Sequence, residues 1–148
     1  MQINVTNKVC KIGCGILEYK LTDSLEDYLE AIYMLERSNP KVRITDIAAK
    51  LKLSKPSVNK AINLLKNSGL VDHERYGNIV LTDEGRKIAK EIYYMHNTLK
   101  EFLINELNID PEVAECEACG IEHVISKDSL NKLVKYSKKN TTNNNYKN

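Results

Sequence analysis

Chemistry-bearing side chains are concentrated at Cys119-Gly-Ile-Glu122-His123, where a thiol, a carboxylate and an imidazole stand at positions i, i+3 and i+4. On a helix these positions share one face, so the three groups would converge. Each is a ligand type for a divalent transition metal. One helix fills only part of a coordination shell, so partners must come from elsewhere. His96 lies in the middle of a long stretch of helical periodicity, next to Met95, and Asp27 and Glu30 lie three apart on an earlier one. Three segments therefore carry ligand-type residues suited to a multi-helix site. The competing reading is a Cys and a His that merely pack an amphipathic helix into a core. A further alternative joins Cys10-x3-Cys14 to Cys116-x2-Cys119 as a four-thiolate zinc or iron–sulfur site, which would make the chain a redox sensor. No nucleophile motif or Gly-rich phosphate loop accompanies Glu122 and His123, so an enzyme is not expected.

A second constellation is electrostatic. The net charge of +2 hides a split along the 148 residues. Between Ile47 and Val71 stand Lys50, Lys52, Lys55, Lys60 and Lys66 with no acid. Between Asn97 and Asp128, Glu101, Glu106, Asp110, Glu112, Glu115, Glu117, Glu122 and Asp128 face only Lys100 and Lys127. The first stretch suits a polyanion and the second a cation.

The elements that must position these groups follow from periodicity and punctuation. Asp23 followed three residues later by Glu26 reads as a capping box opening a helix, which Leu25, Tyr28, Leu29, Ile32, Tyr33 and Leu35 continue to Arg37. Pro40 stops it. Val42-Arg43-Ile44 is extended, and a helix over Thr45–Leu51 is capped by Thr45. After the turn Lys52-Leu53-Ser54, Ser54 caps a second helix with Pro56 in its first turn, and Gly69 closes it. Short strands then flank Tyr76-Gly77-Asn78 as a hairpin. A long helix opens at Thr82-Asp83-Glu84-Gly85 and runs through Leu99 to about Leu107, Pro111 opens a shorter one, and Ser126–Tyr136 forms the last. Residues 1–20 read as a loose strand, hairpin or arm, and the Asn- and Lys-rich segment 138–148 as a disordered tail.

Helix, tight turn, helix and hairpin make a winged helix-turn-helix, whose second helix lies in the major groove of double-stranded DNA while the wing meets the backbone. The exposed face of that second helix carries Ser54, Lys55, Pro56, Ser57, Asn59, Lys60 and Asn63, able to reach base edges and phosphates, and the wing offers His73, Arg75 and Tyr76. The fold class is thus mainly α. It divides into an N-terminal extension (1–20), a winged helix-turn-helix DNA-binding domain (21–83), a helical domain (84–137) and a tail (138–148).

Leu25-Glu-Asp-Tyr-Leu-Glu-Ala-Ile-Tyr-Met-Leu35, Ile79-Val-Leu-Thr-Asp-Glu-Gly85 and Glu117-Ala-Cys-Gly-Ile-Glu-His-Val-Ile-Ser126 resemble the diphtheria-toxin-repressor family of metal-dependent transcription regulators, over roughly Leu21 to Tyr136. The resemblance implies a homodimeric repressor of metal-uptake genes that binds a palindromic operator when loaded with Mn²⁺ or Fe²⁺, with Co²⁺, Ni²⁺ or Zn²⁺ able to substitute in vitro. It implies that the helical domain 84–137 is the metal-binding and dimerisation domain, and it places the metal ligands on Asp27, Glu30, His96, Cys119, Glu122 and His123. Asp27 is the residue type of the manganese-responsive branch and Cys119 that of the iron-responsive branch. Glu115 and Lys100 stand where the iron branch has a His and a Glu of its second site, and a lysine there repels a cation. No SH3-like segment follows Tyr136, so the expected architecture is that of the short manganese-responsive regulators.

Composition agrees with a folded domain: 42% of residues are apolar and 28% charged. No apolar run is long enough to span a bilayer, and residues 1–20 lack the apolar stretch of a signal peptide, so the expected location is the cytoplasm and the expected state of the cysteines reduced.

Overall fold

The structure, a computed structural model, describes residues 21–73 and 77–144, with side chains as far as Lys138. Helix α1 spans Asp23–Ser38. Its cap is Thr22, not Asp23: the Thr22 hydroxyl accepts the Leu25 N–H at 3.4 Å, and Glu26, the expected capping-box partner, is directed at His123 instead. Asn39 leaves the helix extended, ahead of Pro40. Helix α2 (Ile44–Leu51) starts one residue earlier than expected. Thr45 does not cap it; the Asp46 carboxylate reaches back to accept the Arg43 N–H at 2.8 Å. Lys52, at φ 56°, turns the chain into α3 (Lys55–Asn67), where Ser54 caps the Ser57 N–H and Pro56 occupies the first turn.

Gly69 follows α3 at φ +70°, a left-handed position that favours glycine, and leads into the wing. Strand β1 (Val71–His73) pairs antiparallel with β2 (Ile79–Leu81), Val71 opposite Leu81 and His73 opposite Ile79. Val42 adds a rung, accepting the Ile79 N–H at 2.8 Å and donating its own N–H to the Asn78 side chain.

Helix α4 (Asp83–Asn105) begins at a Thr82 cap. Its Gly85 lies so close to the preceding segment that a Cβ there would stand 1.9 Å from the Leu70 carbonyl oxygen. Asp110 caps α5 (Pro111–Glu122), and α6 covers Lys127–Asn144. The segment expected to be disordered from Lys138 is therefore helical to Asn144; no Pro or Gly interrupts it, and a helix once nucleated propagates at little cost.

Two apolar cores result. Leu29, Ile32, Val42, Ile47, Val58, Ile62, Leu65, Leu70 and Ile79 fill the first, and Leu99, Leu103, Ala114, Ala118 and Leu130 the second. Helix α4 belongs to both, through Ala89 in one and Leu99 in the other, so one continuous helix joins the two cores. Glu36 adds a polar tie among α1, β2 and α4: one oxygen accepts the Leu81 N–H at 3.0 Å and the other meets Arg86 at 2.7 Å. No helix among the described residues is long and apolar enough to cross a membrane.

Candidate metal centre

Burial of Tyr28, Leu29, Ala31 and Ile32 turns one face of α1 inward and leaves Asp27 and Glu30 at its margin, towards α4 and the end of α5. His96 is 7% exposed and Glu122 only 3%, the two buried polar residues of the described chain. His123 terminates α5 as its C-cap.

These residues form two linked groups. Ligand atoms of Asp27, Cys119, Glu122 and His123 all lie within 4.8 Å of one another, and so do those of Glu30, His96 and Glu122. Glu122 belongs to both. All six residues singled out in the sequence are thus gathered from three helices into one locus.

Hydrogen bonds define the orientation of both imidazoles. His96 Nδ1 is 2.7 Å from Glu122 Oε2, and its Nε2 is 3.1 Å from Glu115 Oε1. Glu115 is held in turn by Lys100 Nζ at 2.6 Å. His123 Nε2 lies 2.9 Å from Asp27 Oδ1, and its Nδ1 lies 2.6 Å from Glu26 Oε2. The buried Oε1 of Glu122 has no hydrogen-bond partner; His123 Nε2 is 3.5 Å away, close enough for attraction but without bonding geometry.

Electrostatics follow from this crowding. Burial, and then the charge of Glu122, push the Glu30 carboxyl up to about 7. Burial and the neighbouring carboxylates, Asp27 first, push the Cys119 thiol up to about 11. Hydrogen bonds to Asp27 and Glu26 raise His123 to about 10, and the bond to Glu122 raises His96. Lys100 holds Glu115 below the usual carboxylate range. Protons are thus retained where carboxylates outnumber cations. An orphaned buried carboxylate oxygen beside two imidazoles, further carboxylates and a thiol is a donor set that fits a divalent metal ion.

Sequence reasoning missed Glu26, since the pattern that marks it also marks a helix start. It placed Glu115 only as a substituted position, whereas Glu115 touches His96 directly. The four-thiolate alternative finds no support among the described residues: Cys116 is exposed, and half-buried Cys119 is grouped with carboxylates and an imidazole. Cys10 and Cys14, and with them the reading of residues 1–20, lie outside the described residues.

On the DNA side, Ser54, Lys55, Pro56, Ser57, Asn59, Lys60 and Asn63 are all exposed, as is His73 on the wing. Ser54 is partly committed to its own helix, with its hydroxyl 2.9 Å from that of Ser57. Arg75 and Tyr76 lie outside the described residues.

A winged helix-turn-helix joined through one long helix to a cluster of ligand-type side chains that fits a divalent cation is the architecture of a metal-dependent DNA-binding regulator. Comparison with known proteins makes the assignment particular. Residues 20–79 match the iron dependent repressor N-terminal DNA binding domain, and residues 82–147 the iron dependent repressor metal binding and dimerisation domain. The HTH-type transcriptional regulator MntR of Shouchella clausii is 39% identical over 124 residues, covering 82% of this chain and 86% of its own. An uncharacterized HTH-type transcriptional regulator of Methanocaldococcus jannaschii is 35% identical over 120 residues, covering 80% of this chain and 96% of its own. The structure of the manganese regulator SloR superposes with a TM-score of 0.71 at 30% identity over 80% of this chain; the match spans 55% of that longer chain. The chain belongs to the iron-dependent repressor family, which is the diphtheria-toxin-repressor family its motifs resemble. Its members are metal-dependent DNA-binding transcriptional regulators, not enzymes, and divalent metal is their effector.

Proposed function

We propose that this chain is a cytoplasmic, homodimeric repressor of metal-uptake genes whose operator binding is switched on by Mn²⁺ or Fe²⁺. The observation that carries the reading is the convergence of Asp27, Glu30, His96, Cys119, Glu122 and His123, with Glu122 shared between two groups. In this reading residues 21–83 bind DNA and residues 84–137 hold metal and dimerise, α4 running through the border. Exposed Leu107, Val113, Val124 and Tyr136 in the second half are apolar groups of the kind a partner protomer covers.

The bound ion supplies positive charge and fixed coordination directions to a cluster of carboxylates. Asp27 and Glu30 ride on α1, which packs in the DNA-binding core, while Cys119, Glu122 and His123 ride on α5 in the other half. Holding these side chains together sets the angle of each winged helix to the dimer axis. Two α3 helices are then presented to successive major grooves, about 34 Å apart. Ser54, Lys55, Pro56, Ser57, Asn59 and Lys60 are the contacts we assign to α3, with Arg75 and Tyr76 on the wing. Without the ion, Asp27, Glu30 and Glu122 repel one another and the angle loosens.

The ligand set is mixed. Carboxylates favour Mn²⁺, whereas a thiolate favours Fe²⁺ and softer ions. Operator affinity measured anaerobically against Mn²⁺, Fe²⁺, Co²⁺ and Zn²⁺ tests the proposal, because Cys119 is oxidisable as a thiolate. Tight binding is expected only with metal. Affinity indifferent to every ion and to chelator would overturn the switch.

A further inference from the structure

Glu26 is not among the six residues assigned to the metal, yet it makes one of the two shortest contacts to an imidazole of the site. Its Oε2 lies 2.6 Å from His123 Nδ1, and the His123 side chain is only 7% exposed. The other ring nitrogen, Nε2, faces Asp27 Oδ1 at 2.9 Å and Glu122 Oε1 at 3.5 Å. The ring is therefore gripped on its two edges by consecutive residues of α1, each presenting a carboxylate to a different nitrogen.

A neutral imidazole can coordinate a metal through one nitrogen, and the other then carries a proton that needs an acceptor. The position of that acceptor selects the coordinating atom. Here a carboxylate faces each nitrogen, but Asp27 belongs with Cys119 and Glu122 to one ligand group. Glu26 is therefore the acceptor that remains for the Nδ1 proton, and Nε2 is the nitrogen directed at that group. We propose that Glu26 is a positioning residue: it accepts the Nδ1–H of His123 and thereby aims Nε2 at the group formed with Asp27, Cys119 and Glu122. This rests on the metal-site reading above and deepens it. The contact also ties α1 to the end of α5 without being a coordination bond, so the ring is oriented before an ion arrives.

A rival arrangement exists. Ligand atoms of Asp23, Glu26 and His123 also lie within 4.8 Å of one another, which would make Glu26 a ligand of a separate ion through Nδ1. That group is shallower: Asp23 is exposed, and it lacks the buried, unpartnered oxygen that Glu122 brings to the other side. The buried side has the greater need of a cation.

Co²⁺ titration of the full chain separates the two. The wild type is expected to show a thiolate-to-cobalt charge-transfer band from Cys119. Glu26→Ala should keep the band and the number of ions bound but lower affinity about 10–100-fold, the usual cost of losing a partner of a coordinating histidine. Glu26→Gln, whose amide oxygen accepts the same N–H, should recover most of that loss, and it serves as the working variant if the alanine form fails to fold. In the Zn²⁺-loaded chain, ¹⁵N shifts should show His123 metallated at Nε2 and protonated at Nδ1. Loss of one bound ion in Glu26→Ala or Asp23→Ala, metallation at Nδ1, or wild-type affinity in both Glu26 variants would overturn the inference while leaving the metal site standing. A wild type that takes up no Co²⁺ would overturn both.

Discussion

Cys119 is where the proposed ligand set departs from hard oxygen-and-imidazole chemistry, and its environment sets what metal binding would have to achieve there. Among carboxylates and partly buried, the thiol holds its proton to about 11, so an ion must displace that proton to gain the sulfur. Cys119→Glu removes the soft donor; we expect preference to move towards Mn²⁺, Co²⁺ and Zn²⁺ to bind more weakly, and the cobalt charge-transfer band to vanish. A band that persists would assign the sulfur to another cysteine. Glu30 and His123 add a pH dependence whose sign is set by their direction of shift. Glu30 is raised from 4.5 to about 7, so the stability it lends the metal-free fold is complete below 4.5 and lost as pH climbs through 7. His123, raised from 6.5 to about 10, contributes below 6.5 and loses its contribution as pH climbs through 10. In chelator, the thermal midpoint should therefore fall from about pH 5 to about pH 8, less steeply in Glu30→Gln. Metal must expel the same protons, so the rise in midpoint on adding Mn²⁺ should grow over that range. A metal-induced rise that shrinks with pH would contradict this.

Helix α3 owes its exposed polar face to an opposite face that is fully used. Val58, Ala61, Ile62 and Leu65 are buried in the first core, which turns Ser57, Asn59, Lys60 and Asn63 to solvent. Its N-terminus is fixed by Ser54 and Pro56, so the angle at which those side chains leave the domain is set by the cap and the core together. Asn59→Ala and Lys60→Ala should each weaken specific DNA binding by about 1–3 kcal/mol, with metal uptake and dimerisation unchanged. Fluorescence anisotropy with operator and with scrambled duplex measures it. The Asn59 loss should be confined to operator if it contacts a base, whereas a Lys60 loss shared by both duplexes would assign it to phosphate. Unchanged affinity in both variants would take α3 out of the groove.

At the scale of the molecule, α4 is the shaft between two cores, and the seam between α1 and the end of α5 is polar. The seam can thus be strengthened by a cation without repacking either core. Such coupling is reciprocal: whatever factor metal adds to operator affinity, operator must add to metal affinity. We expect a factor of about 5–150, within the usual range of such couplings. Competition with a chromophoric chelator, with and without operator duplex, gives the second factor directly. Factors that disagree, or a metal affinity blind to DNA, would mean that the ion does not act through the geometry of the DNA-binding half.

Much of the backbone was legible from local signals, because the relevant forces are local. Ser54-Lys55-Pro56 carries its own cap and first turn, Thr82 is positioned to cap α4, and the apolar periodicity of α1, α3 and α4 is that of helices with one buried side. Ligand-type residues were also legible as types on three segments. Their assembly was not, since residues 96 and 97 positions apart in sequence meet at His123. Three features needed the packed molecule. Glu122 serves both ligand groups because α5 docks on α4 with that side chain inward. Arg43 rather than Thr45 opens α2 because Asp46 reaches back to its N–H. Glu26 turns from a helix start to an imidazole because Thr22 already caps α1 and His123 arrives within reach. A carboxylate three residues into a helix satisfies either demand equally well in the primary structure; which one it meets depends on what the fold brings beside it.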